Sequence, residues 1–295
     1  MKYLRKLICS LASLFFLAAW AIPVEAQTVR TFVSIAPQKY FVQKIGGERV
    51  SVSALVPEGA DPHTYEPRPK QMAELSRSAV YFAIGIDLEK VWLKRIGGTN
   101  PKKLIMHTEE GIEKIAMKNS RHGRAAAGYD HGAESRDPHI WLSPALVKIQ
   151  AGQILKALII VDPQNQQIYK DGYAAFLKEI EALDAELKLL LAGFKNKQFV
   201  VFHPSWGYFA RDYGLDQVPI EIEGKDPKPS QLRDLISHAR ERGIKVVFVQ
   251  PQFSAKSAAM VAREIEGQVI YVNPLAENWA DNLRDVARKF KAAAR

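Results

Sequence analysis

Cysteine is almost absent from this chain. Of its 295 residues one is a cysteine, Cys9, and it lies in an apolar segment near the N-terminus. A disulfide within the chain needs two cysteines and a cysteine-based zinc site needs several, so both are excluded. The core must therefore be stabilised by packing alone, and any metal must be held by histidine, aspartate, glutamate or asparagine side chains.

Several motifs that would indicate catalysis or nucleotide binding are missing too. The chain has neither of the common glycine-rich phosphate-binding motifs, no His-Glu-x-x-His sequence and no nucleophile elbow. Its formal charge is +9, but lysine and arginine alternate with acidic residues along the helices instead of forming a basic stripe with interleaved aromatics. The charge therefore indicates a solvated basic surface, and we expect no nucleic acid partner.

Residues 1–26 have the pattern of a secretory signal peptide. Three basic residues precede an almost unbroken apolar run over residues 7–22, and a small residue, Ala26, stands at the expected cleavage point. The run is short for a membrane span, although an uncleaved anchor is the alternative, and no second run of about 20 apolar residues follows it. We therefore expect export, with cleavage near Ala26.

Beyond this segment, apolar strand patterns alternate with amphipathic helix patterns. One strand–helix series occupies residues 31–106 and a second occupies 198–272; between them, residues 164–191 form a long helical stretch whose one weak point is Gly172. Alternating strands and helices indicate parallel sheets covered on both faces. The pattern predicts an α/β protein with an N-terminal lobe over 27–161, a linker helix over 162–194 and a C-terminal lobe over 195–295.

Residues 107–136 interrupt this alternation. The stretch is rich in glycine, alanine, serine, arginine and histidine and has no apolar periodicity, which is typical of a long mobile loop. It carries His122 and His131, which are candidates for accessory metal ligands. The alternative is a loop that only connects two elements.

Three of the seven histidines lie beside prolines in separate loops, and these are His63, His139 and His203. Ligands of parallel α/β sheets bind at the carboxyl ends of the strands. His63 follows one predicted strand and His203 directly follows another, as does Asn273. We therefore expect the three imidazoles to converge on a divalent metal such as zinc. Three histidines and a water are also a catalytic geometry, so a zinc hydrolase is an alternative.

Around these histidines the chain resembles the zinc- and manganese-binding proteins of bacterial ABC importers, the cluster A-I solute-binding proteins. The resemblance extends over nearly the whole chain after residue 26, and its motifs are highly specific in combination. The matching stretches are 56–67 with Asp61-Pro62-His63, 137–144 with Asp137-Pro138-His139, 201–210 with His203, 227–232, 247–253 and 272–277.

This resemblance implies two Rossmann-like lobes with mainly parallel sheets, joined by a long rigid helix, and one metal between the lobes. It implies that His63, His139 and His203 are metal ligands. The expected function is capture of Zn(II) in the periplasm and its delivery to an ABC permease in the inner membrane, by a monomer that is not an enzyme. The manganese-binding branch tends to carry a carboxylate in place of His203, which favours zinc here; manganese binding and a surface adhesin are the alternatives.

Two positions depart from the pattern of the resembling family. Asn273 stands where an aspartate is common, and an uncharged amide oxygen is a weaker metal ligand. The fourth ligand is therefore open, and the candidates are Asn273, Glu277, Asp281 or water. Gln250 stands where relatives often carry glutamate, and the sequence alone assigns it no role.

Overall fold

The computed structural model describes residues 28–117, 136–194, 197–222 and 224–293. The predicted signal peptide, together with His122 and His131, lies outside these residues. Two four-stranded parallel sheets lie within them, and each corresponds to one of the two strand–helix series predicted from the sequence. The α/β class predicted from the alternating pattern is therefore confirmed.

The first sheet has the strand order β2-β1-β3-β4 and the second has the equivalent order β6-β5-β7-β8. In each parallel sheet the strand order reverses between the two central strands, because successive connections lead to opposite sides of the sheet. Such a switch point opens a crevice at the carboxyl ends of these strands. The strands are β1 (Val29–Val33), β2 (Val50–Ala54), β3 (Val80–Ala83), β4 (Leu104–His107), β5 (Gln198–Val201), β6 (Asp216–Pro219), β7 (Val246–Val249) and β8 (Gln268–Tyr271).

Helices cover both sheets, and the apolar faces of these helices account for the amphipathic patterns in the sequence. They are α1 (Ala36–Gly46), α2 (Pro69–Ser76), α3 (Asp87–Gly98), α4 (Pro144–Val161), α5 (Gln166–Leu191), α6 (Gly207–Tyr213), α7 (Pro229–Glu241), α8 (Lys256–Glu264) and α9 (Trp279–Ala293). Four of them, α1, α2, α4 and α7, carry a proline in the first turn. There the missing N–H costs nothing and the fixed φ angle favours the helix.

The linker helix α5 is 26 residues long and extends about 39 Å. Its buried side chains recur every three to seven residues along one face: Tyr169, Phe176, Ile180, Leu183, Leu187 and Leu191. The sequence suggested that Gly172 is a weak point of this helix. In the structure, α5 and α1 approach each other closely at this residue. A methyl group at this position would lie 3.0 Å from the carbonyl oxygen of Lys44 at the end of α1, and closer still to the carbonyl oxygen of Ile45.

The two sheets share one core. The main hydrophobic cluster runs from Phe32 in the first sheet, through α5, to Phe248 and Phe290 in the second lobe, and a smaller cluster fills the other face of the second sheet. Trp279 of α9 packs edge-on against Phe41 of α1, with ring centroids 5.2 Å apart. This core contains residues of both predicted lobes and of the linker helix, so it does not mark where one lobe ends and the next begins. The lobe boundaries predicted from the sequence therefore stay a prediction.

Two tryptophans also hydrogen-bond across the lobes. Trp141 Nε1 donates to the carbonyl of Pro274 at 2.7 Å, and Trp279 Nε1 donates to the carbonyl of Trp141 at 2.7 Å. All four groups are backbone carbonyls or indoles away from water, where an unmade hydrogen bond costs about 1–3 kcal/mol. The segment that carries His139 is thereby fixed to the C-terminal lobe.

One described helix, α4, is long and apolar enough to cross a membrane by length and composition alone. One face of this helix, with Val147, Ala151 and Ile154, is fully buried in the main core. Core helices of soluble proteins pass the same test, and we assign α4 to the core.

Some element boundaries differ from the prediction. β4 includes His107, so the loop predicted over 107–136 begins at residue 108, one residue later than predicted. Its described parts meet in a bridge between Ala116 and Arg136. The last helix begins at Trp279 rather than near residue 276, because Pro274 opens a turn and Asn278, a favoured residue before a helix, precedes the first turn.

Candidate metal centre

His63 and His139 are held by the same local motif. In each Asp-Pro-His sequence an aspartate oxygen accepts a hydrogen bond from the backbone N–H of the histidine at 2.9 Å, from Asp61 in one case and Asp137 in the other. Such a turn fixes the backbone of the histidine without a helix or a strand. The cause of the geometry is therefore local in sequence, and it occurs twice.

The two motifs differ in what faces the ring. Asp137 Oδ1 also accepts from His139 Nδ1 at 2.7 Å, and both residues are buried. His63 is more exposed, and its Nδ1 lies 3.9 Å from a carboxylate oxygen of Asp87, the first residue of α3. Burial, followed by the charge of nearby His203, lowers the pKa of His63 below its ordinary value. A lowered pKa keeps this imidazole neutral and able to bind a metal.

His203 is held by residues from three strand ends of the second sheet. It lies two residues beyond the end of β5, and its Nδ1 donates at 2.8 Å to Glu221 Oε1, which lies two residues beyond the end of β6. Gln250, which follows β7, accepts from the backbone N–H of His203 at 3.2 Å and donates to its carbonyl at 2.6 Å. The ring stacks on Phe253, with centroids 4.9 Å apart. Both the backbone and the ring of His203 are therefore fixed.

The three histidines converge from both lobes. Each offers a ring nitrogen that lies within 4.8 Å of the other two, and His139 Nε2 is 3.3 Å from His203 Nε2. Two nitrogens bound tetrahedrally to one zinc at about 2.0–2.1 Å stand about 3.4 Å apart, so this spacing fits a shared ion. The carboxylates on Nδ1 leave the Nε2 lone pairs for the metal, an arrangement common around zinc.

The chain matches the family described as zinc-uptake complex component A, periplasmic (ZnuA), over residues 32–293. It belongs to the ZnuA family. A ZnuA crystal structure shares 43% sequence identity with it at a TM-score of 0.84, covering 91% of this chain and 100% of that one. A ZnuA deletion mutant crystallised with zinc bound is also 43% identical, with a TM-score of 0.83 over 90% of this chain and 98% of that one.

A curated relative from Bacillus subtilis, the high-affinity zinc uptake system protein ZnuA, is 27% identical over 81% of this chain and 76% of its own length. These matches confirm the predicted two-lobe α/β fold with a connecting helix. They also identify the chain as a metal-binding solute-binding protein rather than an enzyme.

The histidines of this ZnuA-family protein line a cavity of about 20 Å³ between the lobes. A volume of this order holds one water-sized species. Ile86, Trp141, Phe253 and Leu275 form apolar walls around it. The space enclosed by the histidines therefore fits a single ion.

The other candidates for the fourth ligand are engaged elsewhere. Asn273 Oδ1 accepts hydrogen bonds from Gln252 Nε2 and from the backbone N–H of Leu275, both at 3.0 Å. Glu277 forms a half-exposed ion pair with Lys39 at 2.7 Å. Asp281 pairs with Arg284 at 2.9 Å and is largely exposed. Among the described residues, only the three histidines form a group of potential ligands.

Sequence reasoning missed four residues that support the site: Asp137, Glu221, Gln250 and Gln252. The repeated Asp-Pro-His tripeptide was a signal that could have revealed Asp137. Gln250 carried a weaker signal, because it follows a predicted strand and so lies at the same edge of the sheet as His203. Glu221 lies near the end of another predicted strand, which extends over residues 218–222.

Proposed function

We propose that this protein captures Zn²⁺ between its two lobes and delivers it to an ABC-type permease. Membership in the ZnuA family supports the zinc-binding and transport role. We also propose that residues 1–26 direct export and are cleaved near Ala26. The mature chain then works as a monomer in the periplasm, with a permease in the inner membrane.

The observation that carries the proposal is the pair of nitrogens facing each other, His139 Nε2 and His203 Nε2, 3.3 Å apart. Each ring has a carboxylate on its other nitrogen, Asp137 or Glu221, and a carboxylate only accepts. In the neutral rings both Nε2 atoms therefore carry lone pairs, and two acceptors so close repel each other. A cation between them converts this repulsion into coordination, which is what a capture site requires.

Zinc suits this donor set better than manganese. Three neutral imidazoles form a borderline-soft nitrogen site, whereas manganese prefers carboxylate, carbonyl and water oxygens. The tight site of the proposal comprises His63, His139 and His203. His122 and His131 remain proposed accessory ligands that collect zinc near it.

The test is zinc binding by the mature chain and by three single variants, His63→Ala, His139→Ala and His203→Ala. Each variant should lose most of its zinc affinity in a chelator competition, because tetrahedral closure around the ion is lost. A matched control is His238→Ala, since this histidine contacts Gln198 in the second lobe, outside the cavity. Wild-type affinity in all three variants would overturn the assignment of the site, and metal analysis of protein from the native periplasm would decide between zinc and manganese.

A further inference from the structure

The side-chain orientation of Asn273 is fixed by a backbone group. The N–H of Leu275 lies 3.0 Å from Asn273 Oδ1, and a backbone N–H can only donate. The amide of Asn273 must therefore face it with the oxygen, which removes the usual ambiguity between oxygen and nitrogen in an asparagine.

This orientation determines that of Gln252 in turn. Gln252 approaches the same Asn273 oxygen at 3.0 Å, and only a donor can do so. Gln252 therefore presents Nε2 to Asn273, and its Oε1 is directed away from that contact. The backbone N–H of Leu275 therefore determines the amide orientation of Asn273, and Asn273 determines that of Gln252.

Gln252 Oε1 is left without a hydrogen bond among the described residues, although the atom is buried. A buried acceptor without a partner costs about 1–3 kcal/mol, and native proteins retain few of them without a functional reason. Gln252 also lines the cavity that contains His63, His139 and His203. Because its Nε2 is engaged, Oε1 is the polar atom that this side chain has available for a species in the cavity.

We propose that Gln252 Oε1 accepts a hydrogen bond from a water molecule that completes the coordination of the captured zinc ion. The inference rests on the proposed function and adds the fourth position to it. The three imidazoles are neutral, so the bound water is strongly polarised by the metal and is a good donor. The amide oxygen accepts that hydrogen bond without adding a second charge to the site.

Asn273 is then a positioning residue that acts through Gln252 and does not touch the ion. This assignment also separates the site from a hydrolase, since a glutamine amide cannot take a proton from the water as a carboxylate base would.

The first experiment is a crystal structure of the zinc-loaded wild-type protein. It should show one water oxygen at about 2.0–2.2 Å from zinc and within about 2.5–3.0 Å of Gln252 Oε1. A structure in which Asn273 or Gln252 coordinates zinc directly, or in which the water contacts neither amide, would overturn the inference while leaving zinc capture by the histidines intact.

The second experiment compares zinc affinities of variants by chelator competition. Gln252→Met keeps the length of the side chain and removes the acceptor, so affinity should fall about tenfold, as is typical for groups that support a metal ligand from outside. Gln167→Met, on the exposed face of α5, is the matched control and should bind like the wild type. A Gln252→Met variant with wild-type affinity contradicts the proposal.

A double-mutant cycle tests the role of Asn273. If Asn273 acts only through Gln252, Asn273→Ala should weaken binding in the wild-type background and have no further effect in the Gln252→Met background. Additive losses would mean that Asn273 contacts the ion or its water independently. If the wild-type protein does not bind zinc, the proposed function itself is refuted. This outcome is distinguishable from failure of the inference about Gln252, in which the wild-type protein still binds zinc.

Discussion

Because α5 and α1 are in close contact at Gly172, we expect Gly172→Ala to destabilise the protein, which is opposite to the usual effect of this substitution in a helix. Replacing a glycine inside a helix by alanine ordinarily stabilises the protein by about 1 kcal/mol, because alanine has the higher helix propensity. At position 172 the new methyl group would lie 3.0 Å from both Lys44 O and Ile45 C, and nearer still to Ile45 O. These are backbone atoms at the end of a packed helix, so they cannot rotate away as a flexible side chain can.

The balance of the two terms gives the expected sign. Overpacking of this kind costs about 1–3 kcal/mol, and the upper half of that range applies because backbone must move. After the propensity gain, Gly172→Ala should lose about 1–2 kcal/mol of unfolding free energy. For a chain of this size each kcal/mol shifts Tm by about 2–4 °C, so Tm should fall by roughly 4 °C.

The chain offers a matched control in the neighbouring helix. A methyl group at Gly152 of α4 would meet only the hydroxyl of Tyr173, at 3.9 Å, which is an ordinary contact. Gly152→Ala should therefore raise Tm by about 2 °C. Calorimetry on both variants with a chelator present separates this effect from zinc binding. If Gly172→Ala raises Tm as Gly152→Ala does, the close approach of the two helices is wrong.

Four further predictions concern the metal centre and the predicted 107–136 loop. Protons compete with zinc for the imidazole lone pairs, so zinc affinity measured by chelator competition should fall steeply below about pH 6; a flat response down to about pH 5 would indicate carboxylate ligation. The lowered pKa of His63 means that the unfolded chain binds a proton more readily, so the metal-free protein should lose stability as the pH falls below about 6.5, as a pH series of urea unfolding curves would show. Gly207→Ala would place a methyl group 2.6 Å from Asp137 Oδ2, displacing the carboxylate behind His139 and weakening zinc binding about tenfold; an unchanged affinity would show that Asp137 does not support the ligand. Deleting residues 119–135 should leave the fold and the tight site intact while slowing zinc loading, measured by stopped flow, and loss of the tight site would mean that a primary ligand lies in this segment.

The order and type of the elements could be predicted from periodicity because most helices and strands bury one regular face. In α5 the recurrence of Tyr169, Phe176 and Ile180 is enough to identify the helix without tertiary information. The exact ends could not be predicted in the same way. β6 begins at Asp216 because its register is set by pairing with Gln198 of β5, a contact between residues distant in sequence.

The candidate site divides along a similar line. The repeated Asp-Pro-His sequence marks His63 and His139 locally, and the strand before His203 marks the third ligand. The residues that fix His203 could not be assigned roles, because Glu221 and Gln250 reach it only when β6 and β7 flank β5 in the folded sheet. The function of Asn273 depends on the amide of Gln252, 21 residues away in sequence, so no local pattern could reveal it.

The single core that extends through both lobes also limits how such a protein can be altered. Because Phe41, Phe176 and Trp279 belong to one packed cluster, exchanging a whole lobe with that of a relative would divide a close-packed interior and leave mismatched surfaces on each side. The loops at the strand ends carry the histidines and their supporting residues, and they can change without disturbing that interior. A new metal preference in this architecture should therefore arise by substitutions in these loops rather than by recombination of lobes, and engineered libraries should be concentrated there.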